Sequence, residues 1–382
     1  MQQRARIGVA GTGFIATDFT GLALRHHPEL EISSVLTRRP LAALRDFPAA
    51  ERLTQSVDAF LEACDLVFEC SGDPIHAAMV VHRAFEAGKP VVTMNTEFHV
   101  TVGSWFVGKG YLTEAEGDQP GCIAALAASA VSMGFQPLVY GNMKGFLRHD
   151  PPRSDMEYFA QRTGCSVSQI TSFTDGTKLQ IEQALVGNAL GATITRQGME
   201  GLREGDVFAA GARLGELATS LGRPITDYTL HGGSVPGVFV VCRHDEEEFA
   251  PLRHLKMGEG PYYTLVRNYH LCAFEAFATI RATLDGAPPL LNNSATPELG
   301  VAALAKRELS AGTRIERAFG GEEVRGEVVR LEDAPSHVPI GLLSGAVLRH
   351  GVETGAMLSW SDVDLPDSFA LDCVRALRGI DA

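Results

Sequence analysis

The chain is poor in positive charge. Its 33 Lys and Arg stand against 46 Asp and Glu, a formal net charge of −13. Nucleic acid and anionic membrane both reward an excess of Lys and Arg, so neither is expected as a partner. Ordered cysteine spacing is also lacking. Cys64, Cys70, Cys122, Cys165, Cys242, Cys272 and Cys373 are scattered, odd in number and include no Cys-x-x-Cys. That pattern argues against a disulfide framework or zinc ribbon and suits reduced thiols in a cytoplasm. Long apolar runs are missing too. The longest uncharged run, Gln119 to Met143, is broken by Pro120, Gly121, Gly134, Gln136 and Pro137. It reads as an Ala-rich helix followed by a strand rather than a membrane span. The N-terminus passes directly into the first strand, which leaves no room for a signal peptide, and a soluble cytoplasmic protein is expected.

What is present is an ordinary globular composition, 45% hydrophobic and 21% charged over 382 residues, too long for one typical core. The most informative stretch comes first. Arg6-Ile7-Gly8-Val9-Ala10 reads as a buried strand and leads into Gly11-Thr12-Gly13-Phe14-Ile15-Ala16. This is Gly-x-Gly-x-x-Ala at a strand-to-helix turn, the dinucleotide-binding fingerprint. Gly11 permits the turn, and Gly13 lets the backbone approach a pyrophosphate. Ala16 lets the helix pack closely, and the helix N-terminus at Phe14 and Ile15 offers N–H donors to the phosphates.

A second strand, Leu30 to Thr37, ends in Thr37-Arg38-Arg39. An NAD-preferring site usually places Asp or Glu here for the ribose 2′-hydroxyl. Two guanidinium groups suit a 2′-phosphate instead, so NADP(H) is expected over NAD(H), the alternative being two surface arginines on a solvated loop. The apolar strands Asp65 to Cys70 and Val91 to Asn95, with helices between, complete a doubly wound pattern. Ligands in such sheets lie at the carboxyl ends of strands, which brings Cys70, Ser71, Gly72, Asn95 and Glu97 to the nicotinamide half of the cofactor.

Further on, Leu138 to Gly141 reads as a strand that delivers Asn142-Met143-Lys144-Gly145. A helix from about Thr174 places Asp175, Lys178, Glu182, Leu185 and Ala189 on one face, polar first and apolar below. Asp175 with Lys178 then forms a carboxylate–lysine pair suited to proton transfer, and Lys178 is the first choice of acid/base. The plainer alternatives are a helix-dipole partner at Asp175 and a surface pair Lys178–Glu182. His270, at a strand–helix junction, binds substrate, acts as an acid or is structural. Mg²⁺ or Mn²⁺ on Glu97, Asp175 or Glu182 is an option that no spacing makes diagnostic.

Three phrases carry a family resemblance: Phe68-Glu69-Cys70-Ser71-Gly72, Ala87 to Asn95, and Gly117-Asp118-Gln119-Pro120-Gly121. They resemble the homoserine dehydrogenase-like oxidoreductases. More particularly they resemble the branch with a C-terminal SAF-type domain, which includes the 1-deoxy-D-xylulose 5-phosphate reductoisomerase-like enzymes and is related to sugar-acid oxidoisomerases. True homoserine dehydrogenases follow the corresponding Asn with Lys, where this chain has Thr96-Glu97. The resemblance implies an α/β chain in three parts. A Rossmann domain with a doubly wound parallel sheet spans 1–125, an α+β substrate domain 126–290, and a small β-rich SAF-like domain 291–382. In that last part Leu309 to Ile315 and Val352 to Leu358 repeat the pattern apolar-x-x-Gly-x-x-apolar. The resemblance also implies that Lys144, Asp175, Lys178, Glu182 and His270 do the chemistry. The expected activity is NADP(H)-dependent oxidoreduction of a small polyhydroxylated or phosphorylated substrate by a homo-oligomer, most concretely a reductoisomerase of the deoxyxylulose-phosphate type. A sugar-acid or homoserine-type dehydrogenase, and a nucleotide-sensing protein without turnover, are the alternatives.

Overall fold

A computed structural model describes residues 4–231 and 236–380 and divides the chain into two compact units. The first comprises residues 1–121, 271–295 and 367–382; the second comprises 122–270 and 296–366.

The first unit is built on a six-stranded parallel sheet. Its strands are β1 (Ala5–Ala10), β2 (Leu30–Leu36), β3 (Leu53–Thr54), β4 (Leu66–Glu69), β5 (Val91–Thr93) and β6 (Leu112–Glu114), in the order β3-β2-β1-β4-β5-β6. The chain leaves β1 toward β2 on one side and returns to β4 on the other, so the topological switch point lies between β1 and β4. Helices α1 (Phe14–His26), α2 (Val57–Ala63) and α3 (Pro74–Glu86) make the crossovers. Ser56 caps α2 through the Ala59 N–H, and Asp73 with Pro74 starts α3. Ile7, Val9, Leu66 and Phe68 are fully buried, as strands covered on both faces require.

The helix Cys272–Leu284, far along the chain, returns to this unit. Its Phe277 ring stacks on Phe19 of α1 at 4.5 Å, and Phe19 meets Phe68 at 4.3 Å. Each of these buried rings contributes about 1.5–3 kcal/mol, which explains why the segment belongs here rather than with its sequence neighbours. The last helix, Phe369–Arg378, does the same, with Phe369 4.6 Å from the His82 ring. The block 291–382 read from the sequence is therefore divided between the units.

The second unit contains a mixed sheet in the order β10-β9-β7-β8, from β7 (Gln136–Lys144), β8 (Ile225–Leu230), β9 (Gly237–Arg243) and β10 (Tyr263–Arg267). β7 runs parallel to β8 and antiparallel to β9. Gly141 is required in β7 because a Cβ there would run into the buried Phe239 ring. The helix Thr177–Leu190 is buried along nearly its whole length. Gln183 locks it to two strands, donating to the Tyr140 carbonyl at 2.9 Å and to Thr226 Oγ1 at 3.0 Å.

Beyond it, β11 (Leu299–Ala305) and β12 (Val324–Arg330) form an antiparallel pair, followed by β13 (Val347–Leu348) and β14 (Val363–Asp364). The two repeated Gly-centred segments pair with each other, Leu309 and Val352 exchanging backbone hydrogen bonds of 2.9–3.0 Å. The β-rich character read from the sequence is present. The chain is α/β as expected, and among the described residues no helix is long and apolar enough to cross a membrane. None of the seven cysteines is in a disulfide.

Candidate functional site

The two glycines of the first turn serve different ends. Gly11 has φ +133°, and a Cβ there would lie 3.0 Å from the Cys70 carbonyl oxygen, so backbone conformation and packing both demand glycine. Gly13 has φ −85° and ψ −168°, which any residue adopts, and a Cβ on it would meet no atom within 4 Å. Neither strain nor crowding explains Gly13. What glycine provides there is open access to backbone, which is what an approaching pyrophosphate needs. No side chain caps α1, so the N–H groups at its start, including Phe14 and Ile15, face that opening without an internal side-chain acceptor. The residues fit a dinucleotide.

The end of β2 is laced to this turn. Thr37 and Thr12 share a hydroxyl–hydroxyl hydrogen bond of 3.0 Å, and the Arg39 guanidinium donates to the Thr12 carbonyl at 3.3 Å. Arg38 pairs with Asp73 at 2.7 Å, and Asp73 in turn accepts the N–H groups of Ile75 and His76 at the start of α3. Burial, with Arg38 adding to it, holds the His76 imidazole below its usual range.

At the ends of β4 and β5 lie Cys70, Ser71, Gly72 and Asn95. Burial, with Glu69 adding to it, pushes the Cys70 thiol well up. Asn95 caps the short turn Thr96–Phe98 by accepting the Phe98 N–H at 3.0 Å, and Glu97 is half-buried within that turn. Between these loops sits Glu69, fully buried, which the sequence reading left as an ordinary strand residue. Burial raises its carboxyl, opposed by hydrogen bonds from Ser71, Thr93 and Asn95. A second buried polar group is His99, with Nε2 3.3 Å from Glu114 Oε2. Burial nonetheless holds this imidazole down, to about 3, because the charged ring would stand there without water.

In the second unit, Lys144 ends β7 and its ammonium stands 3.6 Å from Glu182 Oε2, which also accepts from Asn142 Nδ2 at 2.7 Å. Glu182 is 1% exposed and Lys144 18%, so a buried carboxylate holds a cation that reaches the surface. Asp175 differs from expectation. It follows one helix, Val167–Thr174, and precedes another, Thr177–Leu190; Gly176 between them has φ +90°. Asp175 and Lys178 therefore do not share a helical face. Ser166 and Gln169 form a capping box that starts the first helix, and the Asp-Gly pair ends it. The Asp175 partner is Lys306, at 2.7 Å, and its other oxygen accepts the Thr177 N–H at 2.9 Å. Lys178 lies half-buried in the first turn of the second helix, four residues before Glu182, and His270 lies half-buried after β10.

Lys306, which no motif singled out, lines a cavity of about 860 Å³ within this unit, together with Arg148, Arg307 and Arg317. Neither Lys144 nor Glu182 lines it. Asp227 was also missed. It accepts backbone N–H groups of Glu200 and Gly201, and burial pushes its carboxyl up to about 6. Three carboxylates were suggested for a divalent cation, Glu97, Asp175 and Glu182. Asp175 and Glu182 are each engaged by a lysine, and among the described residues no three His, Cys, Asp or Glu side chains are placed to hold a metal.

Two family models match this chain. Residues 11–101 match the homoserine dehydrogenase NAD-binding domain, and residues 117–276 match the catalytic domain of oxidoreductase DRL. No curated protein matches in sequence. Among solved structures, a probable dehydrogenase from Thermotoga maritima is similar at 13% identity and TM-score 0.43, over 75% of this chain and 91% of that one. UDP-N-acetylglucosamine 3-dehydrogenase from Acidithiobacillus ferrooxidans is similar at 14% identity and TM-score 0.42, over 76% and 92%. Scyllo-inositol dehydrogenase from Lactobacillus casei, solved with NAD(H) and scyllo-inositol, is similar at 11% identity and TM-score 0.41, over 76% and 92%. Likeness of this degree speaks neither to substrate nor to mechanism. The domain matches give the enzyme class: an NAD-binding domain is joined to an oxidoreductase catalytic domain, and the chain is an NAD(P)-dependent oxidoreductase.

Proposed function

We propose that the protein is an NADP(H)-dependent oxidoreductase interconverting a carbonyl and an alcohol on a small polyhydroxylated or phosphorylated substrate. Gly13 is the observation that carries the cofactor half, since nothing inside the protein asks for glycine there. Arg38 and Arg39, tied to the turn and to the start of α3, support a 2′-phosphate. Bound nicotinamide supplies or accepts the hydride. Lys144 donates the proton that the carbonyl oxygen takes as its carbon is reduced, and recovers it in the reverse direction. The buried Glu182 carboxylate holds the lysine in place, and Asn142 fixes that carboxylate. Lys144 replaces Lys178 as the first choice of acid because its partner is buried and doubly held. Rearrangement of a carbon skeleton needs two oxygens held together; with Asp175 and Glu182, two of the three carboxylates suggested for a divalent cation, paired to lysines, simple oxidoreduction is the better reading over a reductoisomerase.

The test follows nicotinamide absorbance at 340 nm across sugar phosphates, sugar acids and hydroxy acids, with and without Mg²⁺, and identifies products. Once a substrate is found, Lys144→Met should lower kcat about 10²–10⁴-fold with dinucleotide affinity unchanged. A Lys144→Met enzyme at full rate removes Lys144 from the chemistry. Isomerised product in the Mg²⁺ reactions would restore the reductoisomerase.

A further inference from the structure

Glu69 is a costly residue to place where it stands. It ends β4 beside the switch point, is fully buried, and follows Leu66, Val67 and Phe68, any of whose types would fill the position without desolvating a charge. Its side-chain partners come from the loop that follows its own strand and from the end of the next one. Oε1 accepts both the N–H and the hydroxyl of Ser71, at 2.9 and 2.5 Å. Oε2 accepts the Thr93 hydroxyl at 3.0 Å. Thr93 Oγ1 accepts the Asn95 N–H at 3.1 Å, and Asn95 Oδ1 caps the following turn. One carboxylate thus grips the loop after β4 on one oxygen and, through Thr93, the loop after β5 on the other. The β4 loop is also the wall against Gly11, through the Cys70 carbonyl.

We infer that Glu69 is a positioning residue for the nicotinamide half of the dinucleotide, holding the loops 70–72 and 94–97 in one fixed arrangement, whereas the adenosine half depends on the glycine turn and Arg38–Arg39. This rests on the dinucleotide reading above. Fixing two loops in advance removes an ordering cost from binding, and only the part of the ligand that touches those loops gains.

The experiment compares two ligands on the full chain: the reduced dinucleotide, and the matching ADP-ribose or 2′-phospho-ADP-ribose, which lacks nicotinamide. Affinities come from calorimetry, and the emission of bound reduced nicotinamide gives a second readout. Glu69→Gln preserves volume but turns an amide toward Thr93. Thr93→Val removes the link from the other side and tests the same idea should the first variant fold poorly. Both variants should bind the dinucleotide about tenfold more weakly, with altered nicotinamide emission, while the ADP-ribose constant stays within about twofold. Equal weakening of both ligands, or no change in either, overturns the inference. Failure of the wild type to bind either ligand overturns the dinucleotide reading instead, and this inference with it.

Discussion

The Asp175–Lys306 pair offers a quantitative test of the second unit. Lys306 Nζ lies 2.7 Å from Asp175 Oδ2 and 2.7 Å from the Gly321 carbonyl oxygen, with side-chain exposures of 2% and 0% for the ionic partners. Replacing Lys306 with Met keeps the length of the side chain but leaves a buried carboxylate with the Thr177 N–H on its other oxygen. Breaking a buried pair from one side costs about 3–5 kcal/mol, and replacing both members by uncharged groups recovers most of it. Urea denaturation should therefore place Lys306→Met about 3–5 kcal/mol below wild type and Asp175→Asn/Lys306→Met much closer to it. The pH dependence has a definite sign. Burial raises the Asp175 carboxyl and Lys306 is the largest force opposing it, so the substitution raises it further. An acid whose folded pKa lies above its unfolded value loses stability as pH rises between the two, so Lys306→Met should be worse at pH 8 than at pH 5. A loss under about 1 kcal/mol, flat with pH, would refute the buried pair, since that is what an exposed pair gives. A larger loss from Lys178→Met would instead revive the pairing expected from sequence.

Two further outcomes follow. Arg39→Ala and Arg38→Ala should each weaken NADPH by about tenfold and leave NADH nearly unchanged, measured by fluorescence titration; equal losses for both dinucleotides would remove the 2′-phosphate role. His99, held down to about 3 by burial, stays uncharged in the folded protein while the unfolded chain takes up a proton below its ordinary 6.5. Its contribution is complete above pH 6.5 and drains as pH falls toward 3, by at most about 5 kcal/mol. His99→Asn should flatten that acid limb in denaturation curves, and an unchanged limb would assign it to other groups.

The β1 turn and α1 were legible because their signals are local: an apolar run, two glycines, a small residue one turn later. The contacts of Thr37 and Arg39 with Thr12 were not read from the sequence, because they depend on how β1 and β2 align. The Asp175 helix was misjudged because 3.6-residue spacing outweighed the Asp175-Gly176 turn signal, which was also present. Lys306 could not have been found from spacing, since its partner is more than a hundred residues away and the pairing depends on where β11 lies. The return of Phe277 to Phe19 is of the same kind, fixed by the shape of a core rather than by any motif. Glu69 was passed over as a strand residue, although an acid inside an apolar strand is an anomaly that the sequence displays.

The central claim, a dinucleotide seated on the glycine turn, is tested most directly at Gly13. Its backbone is extended and its Cβ direction is open, so Gly13→Val should still fold, with at most the modest loss of a poorer helix N-cap. The account predicts that the wild type binds reduced dinucleotide in a calorimetric titration and that Gly13→Val weakens it about a hundredfold or more. Equal affinity in the two proteins, or none in the wild type, would contradict it.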